Sequence, residues 1–302
     1  MESGKHNHHH ELGHHHSGDV EALGSAFLLN LIFTLIEIAG GFWTNSVAIL
    51  ADALHDAGDS LGLLLAWYLQ KASGKERDPR FSYGYGRLSL LAALINGVVL
   101  LAGSIVVIVH VIPRLFEPQI VDATGMLWLA LLGIAFNGFA FWRNRSSQSV
   151  NAKMVNWHLL EDVLGWTVVL AGSIVMHFGD YPWLDPLMAL GVTLFILWNV
   201  FKNLGRVIKI FLQSNPEGVD LTAIESELRL LKNVEDIHDV HAWSLDGNYH
   251  VLSLHVVISQ IPDPETLVLL KNQIREQTLK MGIDHATIEI ELPSEACALE
   301  NC

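Results

Sequence analysis

Charged residues and cysteines are scarce in this 302-residue chain. Only 17% of the residues are charged, whereas soluble domains carry about a quarter. The two cysteines both lie in the last six residues, which excludes a disulfide framework and is typical of a cytoplasmic tail with free or metal-binding thiols. Basic residues are outnumbered 18 to 32 and form no patch, which excludes nucleic-acid binding. The absence of a Walker-type glycine loop argues against an ATP-driven pump.

Hydrophobic residues, by contrast, make up 51% of the chain, and the mean hydropathy is +0.34. They are concentrated in the first two-thirds, in six runs near the length that crosses a bilayer. The predicted transmembrane helices are approximately 22–42, 46–69, 88–112, 124–142, 154–177 and 186–204.

Lysine and arginine in the connections predict the orientation of these helices. The basic residues cluster in 70–87, in 143–153 and after the sixth helix, whereas the opposite side has only Arg114. Because positive connections stay on the cytoplasmic side, both termini are predicted to be cytoplasmic. The short loops and compact length favour a bacterial inner (plasma) membrane.

The last third has the mixed pattern of a soluble α+β domain. Amphipathic helices and alternating strands follow one another as αββαβ, with a turn at 246–248 between the first two strands. Asp263 and Pro264 mark the start of the second helix, and Gly282 marks its end. From Val207 onward there are 6 basic and 16 acidic residues, a net charge of −10 that attracts cations.

Four segments are therefore expected. A disordered His-rich tail at 1–19 precedes a transmembrane domain at 20–206, a cytoplasmic domain at 207–293 and a terminal tail at 294–302 that contains Cys297 and Cys302. Histidine-rich tracts bind metal, and the interrupted pattern HNHHHELGHHH favours a native tail over an affinity tag. The tail histidines are His6, His8, His9, His10, His14, His15 and His16.

Two transmembrane segments carry the same polar pair. His55 and Asp59 in the second, like His158 and Asp162 in the fifth, are four residues apart and so share a helix face. If the two helices meet, two imidazoles and two carboxylates form a tetrahedral set that suits Zn²⁺, whereas Mg²⁺ and Ca²⁺ prefer oxygen ligands. The alternatives are a buried ion pair or polar contacts between helices, but ionisable residues in membranes usually mark ion or proton pathways.

Other acids of these helices are expected to play supporting roles. Asp56 and Glu161 are about 100° around the helix from their neighbouring ligands, so each is expected to point elsewhere. Asp52 shares the ligand face and is interpreted as a helix-start or supporting group. Glu37 in the first helix is either a proton carrier or a hydrogen-bond partner between helices.

A transport site must also release its ion, and protons that compete for these ligands provide a way. The sequence therefore favours a metal/proton exchanger. A membrane metal sensor, which would bind without flux, is one alternative. A metalloenzyme is the other, although four protein ligands leave no position for a zinc-bound water.

Motifs along nearly the whole chain resemble the cation diffusion facilitators, in particular their zinc-exporting branch. They are TNSVAILADALHDAGD, RFSYGYGRLSLLAALING, HLLEDVLG, DVHAWSL, LSLHVVI and HATIEIE. The resemblance implies a homodimer in membrane lipid, six transmembrane helices followed by a cytoplasmic ferredoxin-like domain, and Zn²⁺/H⁺ antiport by alternating access, without enzymatic activity. It also implies that Zn²⁺ is both cargo and regulator, and that the transport ligands are His55, Asp59, His158 and Asp162.

The resemblance also implies a second metal site in the cytoplasmic domain. Its matching positions are His241, His255 and Glu291, with His238 and His285 as second choices. Cys297 and Cys302 could join a site at the end of the chain, although their spacing departs from Cys-x-x-Cys. The 70–87 loop contains no histidine, so the loop site of some bacterial members is not expected here.

Overall fold

The computed structural model describes residues 16–73, 77–144, 150–292 and 295. This part of the chain contains six long helices, two shorter helices and three strands. The long helices are α1 (His16–Thr44), α2 (Val47–Ser73), α3 (Arg87–Phe116), α4 (Ala123–Asn144), α5 (Val150–Phe178) and α6 (Leu184–Phe211). The later elements are α7 (Leu221–Leu228), β1 (Val234–Ser244), β2 (His250–Ile258), α8 (Pro264–Lys280) and β3 (His285–Glu291). Most of the His-rich tail and both cysteines lie outside the described residues.

Each predicted transmembrane segment coincides with one long helix, but the helices differ in polarity. Within the described residues, α1, α3, α4, α5 and α6 are long and apolar enough to cross a membrane. The helix α2 is not among them, since His55 and three aspartates lie along it. Apolar length alone thus identifies five membrane-spanning helices, and α2 is distinguished by its polar residues.

The first of two compact units comprises the chain up to residue 72 together with residues 92–203. Its helix α4 packs along α5, and α1 packs against α4. Trp166 of α5 is almost fully buried, with its ring edge-to-face with Phe33 and against the backbone of Gly133. Small residues at helix interfaces permit such close approach. Large side chains such as Phe42 and Trp198 remain exposed on the outside, as a lipid-facing surface requires.

The second unit comprises residues 73–91 and the chain from residue 204 onward. Its sheet has the order β1-β2-β3, with β1 antiparallel and β3 parallel to β2. Ile224 of α7, Leu252 of β2 and Ile274 of α8 are fully buried in one hydrophobic core. The predicted αββαβ order of elements is confirmed.

Local signals for the second helix of this unit are also confirmed. The Asp263 carboxylate accepts hydrogen bonds from the amides of Glu265 and Thr266, so it satisfies donors that have no partner within α8. Pro264 is the first helical residue. Gly282 follows the helix with a φ of 90°, a left-handed conformation that glycine adopts without steric cost.

Candidate metal centres

The helix α2 brings three possible ligands together. His55 Nε2 lies 3.4 Å from Asp59 Oδ2, and their side chains are 21% and 19% exposed. Ligand atoms of His55, Asp56 and Asp59 all lie within 4.8 Å of one another. The expectation that Asp56 points elsewhere therefore needs correction. An offset of about 100° separates neighbouring Cβ atoms by only a few ångströms, a gap that a carboxylate can span.

The second half of the predicted transport site is on α5. Asp162 is buried there, whereas the side chain of His158 lies outside the described part of the structure. Three residues after Asp162, a Cβ placed on Gly165 would lie 3.9 Å from Asp52 Oδ1. The helices α2 and α5 thus approach each other beside the predicted site, while the complete four-ligand set remains a prediction.

Acidic side chains accumulate around this site. Four of them are buried: Glu37, Asp52, Asp56 and Asp162. Asp56 interacts electrostatically with the carboxylates of Glu37, Asp52, Asp59 and Asp162. Ionised carboxylates that are buried close together repel one another. A cation or bound protons at this position lower that repulsion. The arrangement therefore favours binding of a positive ion in the helical unit.

A small cavity adjoins His55 between α2, α3 and α6. It contains the hydroxyl-bearing residues Ser104 and Thr193, both buried. Its lining residues are Ala51, Leu54, His55, Leu100, Gly103, Ser104, Val107, Thr193 and Ile196.

A second candidate centre is located on the sheet of the other unit, where β1 is irregular. His238 pairs with His255, but the next aligned pair is His241 with Ser253, so β1 has one extra residue between them. Asp239 in this bulge has a φ of 49°. A bulge re-aims side chains, because the extra residue breaks the alternation of the strand. The side chains of His238 and His241 consequently lie on the same face of the sheet as His255.

Two histidines and one carboxylate meet on this face. His255 Nδ1 is 2.6 Å from Glu291 Oε1, and His238 Nε2 is 3.2 Å from Glu291 Oε2. Both His255 and Glu291 are buried, and one ligand atom from each of the three residues lies within 4.8 Å of the others. Two nitrogens and one oxygen match the ligands that Zn²⁺ takes in proteins.

The other predicted members of this set lie elsewhere. His241 contacts Asp239 at 2.7 Å, and the second oxygen of Asp239 is 3.4 Å from His255 Nε2, so Asp239 lies between His241 and the set. The resemblance implied His241 as a ligand and His238 as a second choice. In the structure His238, and not His241, lies in the group with His255 and Glu291. His285 instead lies against the ring of Tyr83, at 6.2 Å between centroids.

Long apolar helices with buried acids, followed by an acidic domain that contains a His/Glu cluster, define a membrane protein that handles metal cations. Residues 24–212 match the cation efflux transmembrane domain, and residues 216–292 match the cytoplasmic domain of cation efflux proteins. The chain therefore belongs to the cation efflux family. It is an integral membrane metal-cation efflux transporter and not an enzyme.

Bacterial relatives align with nearly the whole chain. The "Cadmium, cobalt and zinc/H(+)-K(+) antiporter" of Bacillus subtilis (strain 168) is 30% identical over 287 residues, covering 93% of this chain and 92% of that relative. The "Metal cation efflux system protein CzcD" of Cupriavidus metallidurans is also 30% identical, covering 93% and 90%. "Zinc transporter ZitB" of Pectobacterium atrosepticum is 29% identical over 298 residues, covering 97% and 91%. These names support the zinc-exporting branch that the motifs predicted.

Proposed function

We propose that this protein exports Zn²⁺ from the cytoplasm in exchange for protons by alternating access. The observation that supports this most strongly is the His55–Asp56–Asp59 group on α2, a helix flanked along the chain by membrane-spanning helices. In this proposal α2 also crosses the membrane, in addition to the five apolar helices. Both termini are cytoplasmic, and the membrane is the bacterial inner membrane.

The transport site would be completed by α5. His55 and Asp59 would bind zinc together with Asp162 and His158, which repeat the four-residue spacing. Zinc needs neutral imidazoles and ionised carboxylates, so protons arriving from the more acidic side would displace it. The surrounding buried acids support this exchange, because a nearby cation or bound protons reduce the repulsion among them.

The relatives indicate the range of cargo and counter-ion. Their names include zinc, cadmium and cobalt, and one names both H⁺ and K⁺. A site with two nitrogen and two oxygen ligands accepts several transition metals, since affinity alone does not select among them. We therefore infer that zinc is the main cargo, that cadmium and cobalt also fit, and that protons are the counter-ion.

The cytoplasmic unit would act as a ferredoxin-like zinc-binding regulator in a homodimer. His238, His255 and Glu291 supply three ligands there, and the match to the cytoplasmic domain of cation efflux proteins supports pairing of two copies. Zinc at this site would stabilise the cytoplasmic unit, since a ligand that binds only the folded state shifts the unfolding equilibrium.

The transport proposal is tested in inside-out vesicles that contain a zinc-sensitive dye and sustain an imposed pH gradient. Asp162→Asn should abolish pH-driven zinc uptake, because it removes one anionic ligand. The matched control is Glu161→Gln, which changes the neighbouring, exposed carboxylate of the same helix and should retain uptake. Undiminished uptake by Asp162→Asn, at equal protein abundance, would overturn the assignment. Zinc binding without flux in the unaltered protein would favour a sensor, and uptake driven by a K⁺ gradient alone would exclude protons as the required counter-ion.

A further inference from the structure

The turn between α1 and α2 is held by hydrogen bonds from distant parts of the helical unit. Asn45 has a φ of 55°, a left-handed conformation that asparagine adopts more readily than most residues. Arg114, near the end of α3, donates one hydrogen bond to the Asn45 carbonyl oxygen at 2.8 Å and one to its side-chain oxygen at 3.0 Å. The chain thus enters α2 from a turn that α3 holds in place.

Asp185 in the first turn of α6 is fully buried and caps α2 from outside that helix. Its carboxylate accepts hydrogen bonds from the Ser46 hydroxyl at 2.5 Å, the Val47 amide at 2.9 Å and the Ala48 amide at 3.2 Å. The first amides of a helix have no partner within it, and a negative charge near them is favourable. Both oxygens of Asp185 therefore join the start of α6 to the start of α2.

This cap is equally far from the ligand region along both helices. Val47 precedes His55 by eight residues, and Asp185 precedes Thr193 by eight residues, each a rise of about 12 Å. His55 and Thr193 line the same small cavity. The hydrogen bonds between the two helix starts consequently determine which residues of α6 lie beside His55.

We propose that Asp185 is a positioning residue for zinc transport, which keeps α2 in axial register with α6 and thereby places His55 and Asp59 for binding. The proposal rests on the proposed function. The role is distinct from that of a zinc ligand, because three donors of α2 and the preceding turn already occupy the carboxylate.

The test compares Asp185→Ala, Asp185→Asn and the unaltered full-length protein. Zinc affinity is measured by dye competition on the detergent-purified chain with His238→Ala in every sample, which removes a ligand of the proposed cytoplasmic site, and KM and maximal rate are measured in vesicles. Asp185→Ala should weaken zinc affinity and raise KM by about 10-fold, the lower end of the effect of losing a group that hydrogen-bonds a ligand directly. Asp185→Asn retains an oxygen acceptor and the side-chain size, so it should restore most of the affinity. Asp180→Asn, an exposed acid just before α6, is the matched control and should change neither value.

Hydrogen exchange provides a readout that does not depend on transport. Amides of residues 47 and 48 should exchange faster in Asp185→Ala than in the unaltered protein, with Asp185→Asn between them. Unchanged zinc affinity or unchanged exchange in Asp185→Ala would overturn the proposal. The proposal would also fail if Asp185→Asn lost as much zinc affinity as Asp185→Ala while its amides exchanged at the normal rate. If Asp185→Ala does not fold, Ser46→Ala serves instead, since it removes one donor to the same carboxylate. Absence of flux in the unaltered protein would contradict the proposed function, while affinity and exchange would still test the positioning role.

Discussion

The contact between Gly133 and Trp166 predicts a steric defect from the smallest possible substitution. A Cβ added at Gly133 would lie 2.3 Å from Cδ2, 2.5 Å from Cε2 and 2.6 Å from Cγ of the Trp166 ring. Ordinary van der Waals contact begins at 3.4 Å. The indole cannot move aside freely, because it is almost completely buried and packs edge-to-face with Phe33. Gly133→Ala must therefore separate α4 from α5 or rotate a buried ring.

The magnitude follows from comparison with a second glycine of the same helix. Overpacking a buried contact costs about 1–3 kcal/mol, whereas replacing a helical glycine by alanine favours the helix by up to about 1 kcal/mol. Gly138→Ala provides the control, since among the described residues no atom beyond its own stretch of helix lies within 4 Å of its added Cβ. The gain in helix stability from replacing glycine by alanine is common to both variants. The free energy of unfolding of Gly133→Ala should therefore be lower than that of Gly138→Ala by about 1–3 kcal/mol.

Thermal unfolding of the detergent-purified chain, followed by loss of the folded size-exclusion peak, checks this difference. The Gly133→Ala midpoint should lie several degrees below that of Gly138→Ala. Transport should fall as well, because Trp166 lies one helical turn after Asp162 and displacing the ring shifts that carboxylate. Equal midpoints for the two variants would refute the packing argument.

Two further predictions concern the cytoplasmic unit. His238→Ala should reduce the zinc-induced stabilisation of the full chain by the share that the cytoplasmic site contributes, which is about 2.7 kcal/mol when zinc is at 100 times the dissociation constant of that site; His285→Ala should retain this share, and equal loss in both variants would place the metal elsewhere. Hydrogen bonds, chiefly from the Thr266 amide, lower the pKa of Asp263 below its usual 3.8, so the cap stabilises α8 above that value and is lost as the pH falls through the lowered pKa. Hydrogen exchange of the Glu265 and Thr266 amides, corrected for intrinsic rates, should show this loss, whereas the same acid dependence in Asp263→Asn would contradict it.

Features that depend on local periodicity could be predicted from the sequence. A four-residue spacing places two side chains on one helix face whatever surrounds the helix, and His55 and Asp59 do lie 3.4 Å apart. The helix start at Asp263 was recognisable for a similar reason, since capping is a matter of a few neighbouring residues.

Interactions that depend on irregular backbone or on distant partners could not be predicted in this way. His238 and His241 lie on the same sheet face because of one extra residue in β1, and the alternating strand pattern contains no marker for it. Asp56 joins His55 and Asp59 because of its side-chain direction, which a helical wheel does not describe. Asp185 is followed by Pro186, a pattern typical of a helix start, but nothing in that pattern indicates its hydrogen bonds to the start of α2.

The sequence by itself determined the long helices, the repeated His-x-x-x-Asp spacing and the αββαβ order, because hydrogen bonding and side-chain periodicity act within a few residues. The tertiary structure decided which side chains meet across elements. Asp185 reaches the start of α2 from 138 positions along the chain, and Glu291 reaches His255 from 36 positions away. Such contacts arise from packing of whole helices and strands, so no local pattern encodes them.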